Sequence, residues 1–263
     1  SSQWGEAWRY LRRRPLFWVA ATMIVIAVLL ALFPGLFTNT DPRMCELSKS
    51  LAPAESGHPF GFNRQGCDIY ARVIYGARAS VTVGVLTTIL VVIIGALVGA
   101  VAGFFGGWID SVLSVLSRIT DIFFAIPLVL AAIVVMQMFK EHRTIITVVL
   151  VLGLFGWVSI ARITRGAVVS IKNEEYVQSA RSIGASNIHI LFSHILPNAA
   201  APIISYATVA LGTYIVAEAT LSFLGIGLPS TFVSWGGDIS DAQASLRVNP
   251  AVLFYPAGAL GLT

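Results

Sequence analysis

Residues 176–197 read YVQSARSIGASNIHILFSHILP. Just ahead, Asn173 followed by Glu174 and Glu175 reads as a helix start, an Asx cap with acidic groups at the positive end of the dipole. Val177, Ala180, Ile183 and Gly184 recur at helical spacing and form one apolar face, opposite Gln178, Ser179, Arg181 and Ser182. Gly184 breaks the pattern, because glycine readily takes the left-handed conformation that ends a helix. Ser186 caps a second helix, in which Ile188, Leu191, Phe192 and Ile195 follow the i, i+3, i+4, i+7 rule until Pro197 ends it or opens the next segment. The pattern predicts a helix-turn-helix along a membrane face, built either to offer a rigid polar knob to a soluble partner or to serve as an interfacial linker.

The segments around this stretch are apolar. Hydrophobic residues make up 56% of the 263 and charged ones 11%, and the mean hydropathy is +0.81, which places the chain in a bilayer and not among soluble domains. Crossing about 30 Å of hydrocarbon takes roughly 20 residues in a helix. Runs of that kind are expected over Leu16–Phe37, Ala79–Ile109, Ile122–Phe139, Thr144–Ala161 and Ala199–Gly227. A sixth opens at Pro250 and is still apolar at Thr263, so it reads as a span cut short. The expected class is an all-α membrane protein with six spans, divided into residues 1–78 and a core of 79–263 with a cytoplasmic loop at about 162–198.

Arg9, Arg12, Arg13 and Arg14 precede the first run and put the N-terminus in the cytoplasm. The run is too long for a signal peptide and has no small-residue cleavage site, which makes it a retained anchor. On that topology the 17 Lys and Arg, this cluster included, divide almost evenly between the two sides, so orientation rests on the first cluster. The net charge of +4 follows from basic residues flanking spans and points to no nucleic acid.

Both cysteines, Cys45 and Cys67, fall in the outward loop of about Thr38 to Arg78. An oxidising exterior favours a bridge there over two reduced thiols, worth about 3 kcal/mol by chain entropy, although spacing alone leaves the thiols free to stay apart. Ionisable residues in spans tend to face cavities or protein. Asp121 and Glu218 are therefore candidates for lining a translocation pathway, with an ion pair to Arg118 and an inter-helix hydrogen bond as their respective alternatives. His189 and His194, five apart, fall on different faces of an α-helix and have no Cys or carboxylate cluster beside them, so no metal site is expected.

Ser179-Ala180, three residues, Gly184, then Leu196-Pro197 resembles the EAA loop of ABC-type importer permeases, EAA-x3-G-x9-I-x-L-P, with Gln178 in place of Glu and His194 in place of Ile. The stretch NEEYVQSARSIGASNIHILFSHILPN is similar to the version in the dipeptide, oligopeptide and nickel importers. HPFGFNRQGCDIYARVIYGARAS resembles the outer-loop signature of their C-type subunit, with Cys67 where Arg is common, which favours its pairing with Cys45. AEATLSFLGIGLPSTFVSWGGDIS resembles their fifth-span ending, without the usual Pro-Pro before Ser-Trp-Gly.

The resemblance implies a type I ABC importer permease fold and a non-catalytic, pore-forming subunit in the bacterial cytoplasmic membrane. Its implied partners are a second, B-type permease subunit, two ABC ATPases or one fused ATPase, and an extracytoplasmic substrate-binding protein. It implies contact with the ATPase through Gln178, Ser179, Ala180, Arg181, Gly184, Ala185 and Pro197. No G-x-x-x-x-G-K-[ST] loop occurs in the sequence, so ATP and Mg are expected on the partner and no cofactor on this chain. Peptides are the expected cargo, with a nickel chelate or another small solute as the alternative within the family and an ion-driven secondary transporter as the alternative outside it.

Overall fold

The structure, a computed structural model, describes residues 3–124 and 128–263. Its helices are α1 (Gln3–Leu11), α2 (Pro15–Leu32), α3 (Ile69–Phe105), α4 (Gly107–Phe124), α5 (Leu128–Met138), α6 (Ile145–Ile171), α7 (Glu175–Ser182), α8 (Asn187–Phe223), α9 (Trp235–Ala242) and α10 (Ala251–Leu262). No strand occurs among the described residues, only isolated bridges such as Phe62 with Asp68. The all-helical expectation holds. Among the described residues α2, α3, α6 and α8 are long and apolar enough to cross a membrane.

Local chemistry moves the helix ends away from where hydropathy put them. α3 starts ten residues before the expected span because the Asp68 carboxylate accepts the backbone N–H of Ala71 at 3.2 Å and caps it. It stops at Gly106 and Gly107, with φ of +66° and +62°. α6 starts on a reciprocal cap between Thr144 and Thr147 and continues ten residues past the expected end. α2 closes at Leu32 into a short 3-10 turn over Pro34–Leu36.

The chain forms two compact units, one of Ser1–Thr82 with Ser222–Thr263, the other of Val83–Leu221. The first of these units brings the C-terminal segment together with the N-terminal one. The reason is a set of ties onto the loop after α2. Ile69, Ala242 and Val252 are buried together, with Leu51, Phe60, Val73, Leu253 and Tyr255 packed around them. Phe60 stacks on Tyr255 with ring centroids 4.0 Å apart. The Trp235 indole N–H donates to the Val73 carbonyl at 2.9 Å, and a Cβ on Gly76 would lie 2.7 Å from the Trp235 ring. Cys45 and Cys67 are joined by a disulfide, beside which Gly66, at φ +78°, leaves no room between its Cα and the Glu46 carbonyl.

Arg72 is the polar centre of this unit. Its Nε and Nη2 donate to Asp238 Oδ1 at 2.8 and 2.6 Å, and its Nη1 donates to the Pro42 carbonyl at 3.2 Å. One guanidinium thus joins the loop, α3 and α9. Burial pushes the Asp238 carboxyl up, while the charge of Arg72 and its hydrogen bonds pull it back down. Removing the arginine leaves a buried, unpaired carboxylate, a change that typically costs about 3–5 kcal/mol. Arg72→Ala is therefore expected to unfold at lower temperature than wild type. With the raising influences unopposed, Asp238 binds its proton more tightly when folded than when unfolded. The variant therefore recovers stability on acidification from neutral pH and loses it as pH rises. Thermal unfolding in detergent at two pH values measures both effects; a variant as stable as wild type at neutral pH rejects this role for Arg72.

In the other unit, α3 and α6 meet along a stripe of glycines. A Cβ at Gly95 would lie 2.6 Å from the Trp157 carbonyl oxygen, one at Gly103 2.9 Å from the Arg165 carbonyl oxygen, and one at Gly99 2.9 Å from Ala161 Cα and closer still to its oxygen. Backbone thus touches backbone over two turns, the contact that small residues four apart allow between membrane helices. α4 is held to α6 by a two-pronged pair, Arg165 Nε and Nη2 on the two Asp110 oxygens, the second at 2.8 Å. The Arg165 guanidinium holds the Asp110 carboxyl below its ordinary range.

Candidate functional site: the elbow between α6 and α8

α6 ends at Ile171, and the next side chains close its end. Asn173 Nδ2 donates to the Val169 carbonyl and Gln178 Nε2 to the Lys172 carbonyl, both at 3.3 Å. Asn173 therefore serves the end of α6 and does not cap α7, whose N-cap is Glu174 with no side-chain bond to the helix. α7 ends in a Schellman motif. The Gly184 N–H bonds to the Arg181 carbonyl and the Ala185 N–H to the Ala180 carbonyl, both at 3.1 Å. Gly184 has φ +84°, the left-handed geometry its sequence position predicts. Ala185 and Ala180, the pair this motif brings together, both belong to the apolar cluster beneath. Ser186 then caps α8, its Oγ accepting the His189 N–H at 3.3 Å.

The second half of the expected helix-turn-helix is not a separate helix. α8 runs unbroken from Asn187 to Phe223, through a π turn at Leu191–Ile195 in which the Leu196 N–H reaches back five residues to the Leu191 carbonyl. Pro197 sits next to this turn, where an α-helix would lose a donor and press the ring on the carbonyl four residues back; a widened turn relieves both. The π turn also changes which side chains share a face. At 100° per residue, positions five apart lie about 140° apart on an α-helix, yet the His189 and His194 rings are in edge contact at 5.6 Å. The expectation that they lie on different faces is corrected by the local change of period.

The elbow has an anchored base and a free tip. Val177, Ala180, Ile190, Leu191 and Ile195 are buried with Ala100, Phe104, Val168 and Ala199 in one cluster. Fully burying each large aliphatic contributes about 1.5–3 kcal/mol, which fixes α7 against α3, α6 and α8. The Arg181 guanidinium lies 6.0 Å over the Phe104 ring, and Lys172 Nζ donates to the Gly103 carbonyl at 2.8 Å. By contrast Ile183 and Ile188 are 86% and 68% exposed. Both stand on the side the 3.6-residue pattern assigned to the apolar face, but α7 stops before Ile183 and the π turn resets the register of α8. Gln178, Ser179, Arg181, Gly184 and Pro197 are exposed, Ala180 is buried and Ala185 half-buried.

The other candidates lie elsewhere. Glu218 is on α8 with 0% exposure. Asp121 is on α4, and its side chain falls outside the described residues. Among the described residues no group of three or more His, Cys, Asp or Glu is placed to hold a metal ion. Sequence reasoning missed the glycine stripe of α3, although a four-residue period in GALVGAVAG announces it, and it missed the Asp110–Arg165 pair, which no spacing signals.

Among its described residues the chain is all-helical, with four helices long and apolar enough to cross a membrane and a polar elbow between two of them. Residues 92–262 match the family described as binding-protein-dependent transport system inner membrane component, and residues 2–53 match the N-terminal TM domain of oligopeptide transport permease C. The chain belongs to this family of ABC importer permeases, whose members are transport components and not catalysts. It is 36% identical over 262 residues, all of this chain and 84% of the relative, to the oligopeptide transport system permease protein OppC of Bacillus subtilis (strain 168). It is 38% identical over 261 residues, 99% of this chain and 84% of the relative, to the glutathione transport system permease protein GsiD of Salmonella paratyphi A.

Proposed function

We propose that this chain is one of two pore-forming subunits of a peptide importer in the bacterial cytoplasmic membrane, and that the elbow at Gly184 is where an ATPase subunit pushes. The observation that carries the reading is the pairing of a buried base with an exposed aliphatic tip. Two isoleucines held in water on a rigid turn form a surface made for a partner. In this reading Gln178, Ser179, Arg181 and Gly184 face the ATPase, Ala180 and Ala185 hold the turn, and Pro197 marks where α8 enters the membrane. ATP and Mg bind on two ATPase subunits or one fused ATPase. Closure of that pair draws the elbows together and rocks the spans between inward-open and outward-open states.

The other half of the pore is a B-type permease subunit, and cargo arrives on an extracytoplasmic binding protein. The names of the relatives favour oligopeptides or glutathione as the class of cargo. The N-terminal arginines face the cytoplasm, and the loop closed by Cys45 and Cys67 faces the oxidising side. Glu218, enclosed by the chain's own helices, serves as an inter-helix hydrogen-bond partner. Asp121 remains the candidate for the pathway.

The test uses a single cysteine. With the two native cysteines tied together, Ile183→Cys provides one free thiol at the tip. Expressed with its partner subunits, it is expected to cross-link through a short bis-maleimide to an ATPase subunit, with a yield that changes on adding ATP. Cross-linking to no ATPase, with the thiol instead labelled by a lipid-soluble maleimide, overturns the reading.

A further inference from the structure

Three basic side chains around the elbow are occupied inside the molecule, since Arg165 binds Asp110, Lys172 holds the Gly103 carbonyl and Arg181 covers Phe104. Those at the start of the chain make at most local contacts. Arg9, Arg12, Arg13 and Arg14 are all exposed. Arg9 Nε reaches only the carbonyl of Gly5, Arg14 lies over the Tyr10 ring and bonds its hydroxyl, and Arg12 and Arg13 have no acidic partner among the described residues. They stand where an amphipathic helix, α1, meets an apolar one, α2, across a joint of three residues.

Aromatic groups brace the joint. Trp8 packs edge-on against Phe17 with centroids 5.9 Å apart, Phe17 packs edge-on against Trp18 at 5.5 Å, and the Trp18 indole N–H donates to the Arg12 carbonyl at 2.9 Å. Trp8 and Trp18 nevertheless remain 51% and 52% exposed. Exposed tryptophan and tyrosine beside a membrane helix mark the depth of the lipid headgroups. Unpaired guanidinium groups at that depth meet phosphate with matching fork geometry.

We infer that α1 and the joint after it form a headgroup-binding surface selective for anionic phospholipid, with Arg9, Arg12 and Arg13 as its cationic side chains and Trp8 and Trp18 as its floor. The proposal rests on the reading of α2 as a membrane span. It needs neither the ATPase contact nor a particular cargo, so a failure of transport coupling leaves it intact and its own failure leaves coupling intact. Interfacial charge of this kind contributes about 1 kcal/mol for each basic residue, close to fivefold in affinity per arginine.

The experiment compares the assembled transporter with its Arg9→Gln/Arg12→Gln/Arg13→Gln and Arg9→Lys/Arg12→Lys/Arg13→Lys variants, each delipidated and titrated with phosphatidylglycerol or phosphatidylcholine. Lipid retained on this subunit is read by native mass spectrometry. Wild type is expected to prefer phosphatidylglycerol, and the glutamine variant to lose at least tenfold of that preference. The lysine variant, which keeps the charge and controls for folding, is expected to keep most of it. Equal preference in wild type and the glutamine variant overturns the proposal. Displacement of phosphatidylglycerol by millimolar inorganic phosphate also overturns it, because the surface is then a simple anion pocket.

Discussion

Gly99→Leu is expected to abolish accumulation of folded chain. A Cβ at this position would lie 2.9 Å from both the Cα and the carbonyl carbon of Ala161, and closer still to its oxygen. These are backbone atoms in the middle of α6, with no rotamer that clears them. Relief requires α3 and α6 to separate, which also opens the flanking contacts of Gly95 with Ile160 and Gly103 with Val168. Overpacking costs typically about 1–3 kcal/mol, and more where no side chain can yield. In a bilayer no gain in hydrophobic burial offsets the lost helix contact, since lipid is as apolar as the core. The measurement is the yield of monodisperse chain in mild detergent. Gly166→Ala is the control, since nothing lies within 4 Å of its Cβ; it should accumulate like wild type. Normal yield of Gly99→Leu refutes the close approach.

Gly184→Val is expected to behave in the opposite way, with the chain intact and its coupling lost. Nothing lies within 4 Å of a Cβ built at this position, so internal packing does not resist the substitution. The φ of +84° does. A β-branched residue held there is strained by about 1–2 kcal/mol, and the strain is relieved by opening the Schellman turn and tilting α7. The expected result is normal yield and normal membrane insertion, with ATP-driven uptake and co-purification of the ATPase both reduced more than tenfold. Gly184→Asn, which tolerates the left-handed region better, should retain more of both. Full transport by the valine variant contradicts the assignment of the elbow as the driven contact.

How legible these features were depended on the range of the forces behind them. The left-handed Gly184, the Ser186 cap and the long apolar helices are consequences of a few adjacent residues, and all could be read from the sequence. The exposure of Ile183 could not, because a helix that stops one residue short places it on the tip, and that stop is set by the two backbone bonds of the Schellman turn. The π turn was hidden for a similar reason. Pro197 signals a disturbance, but whether the chain answers with a break or with a wider turn is decided by Ile190, Leu191 and Ile195 finding one buried cluster. The ties of Arg72 to Asp238, 166 residues away, and of Asp110 to Arg165 leave no local trace at all. Of the candidate site, then, the turn was legible, while the surfaces above and below it depended on tertiary packing.

The single wide turn in α8 has a consequence for where the elbow points. A π turn amounts to one residue added to a regular helix, so everything ahead of it is rotated by about 100° around the axis of the rod and advanced by about 1.5 Å. The azimuth of Ile183 and Ile188 is in that sense an integer property, set by the number of residues between Gly184 and Pro197 and not by the chemistry of any one of them. Trimming a residue such as Ser193 would remove its hydroxyl contact with His189 and swing the tip by about a quarter-turn.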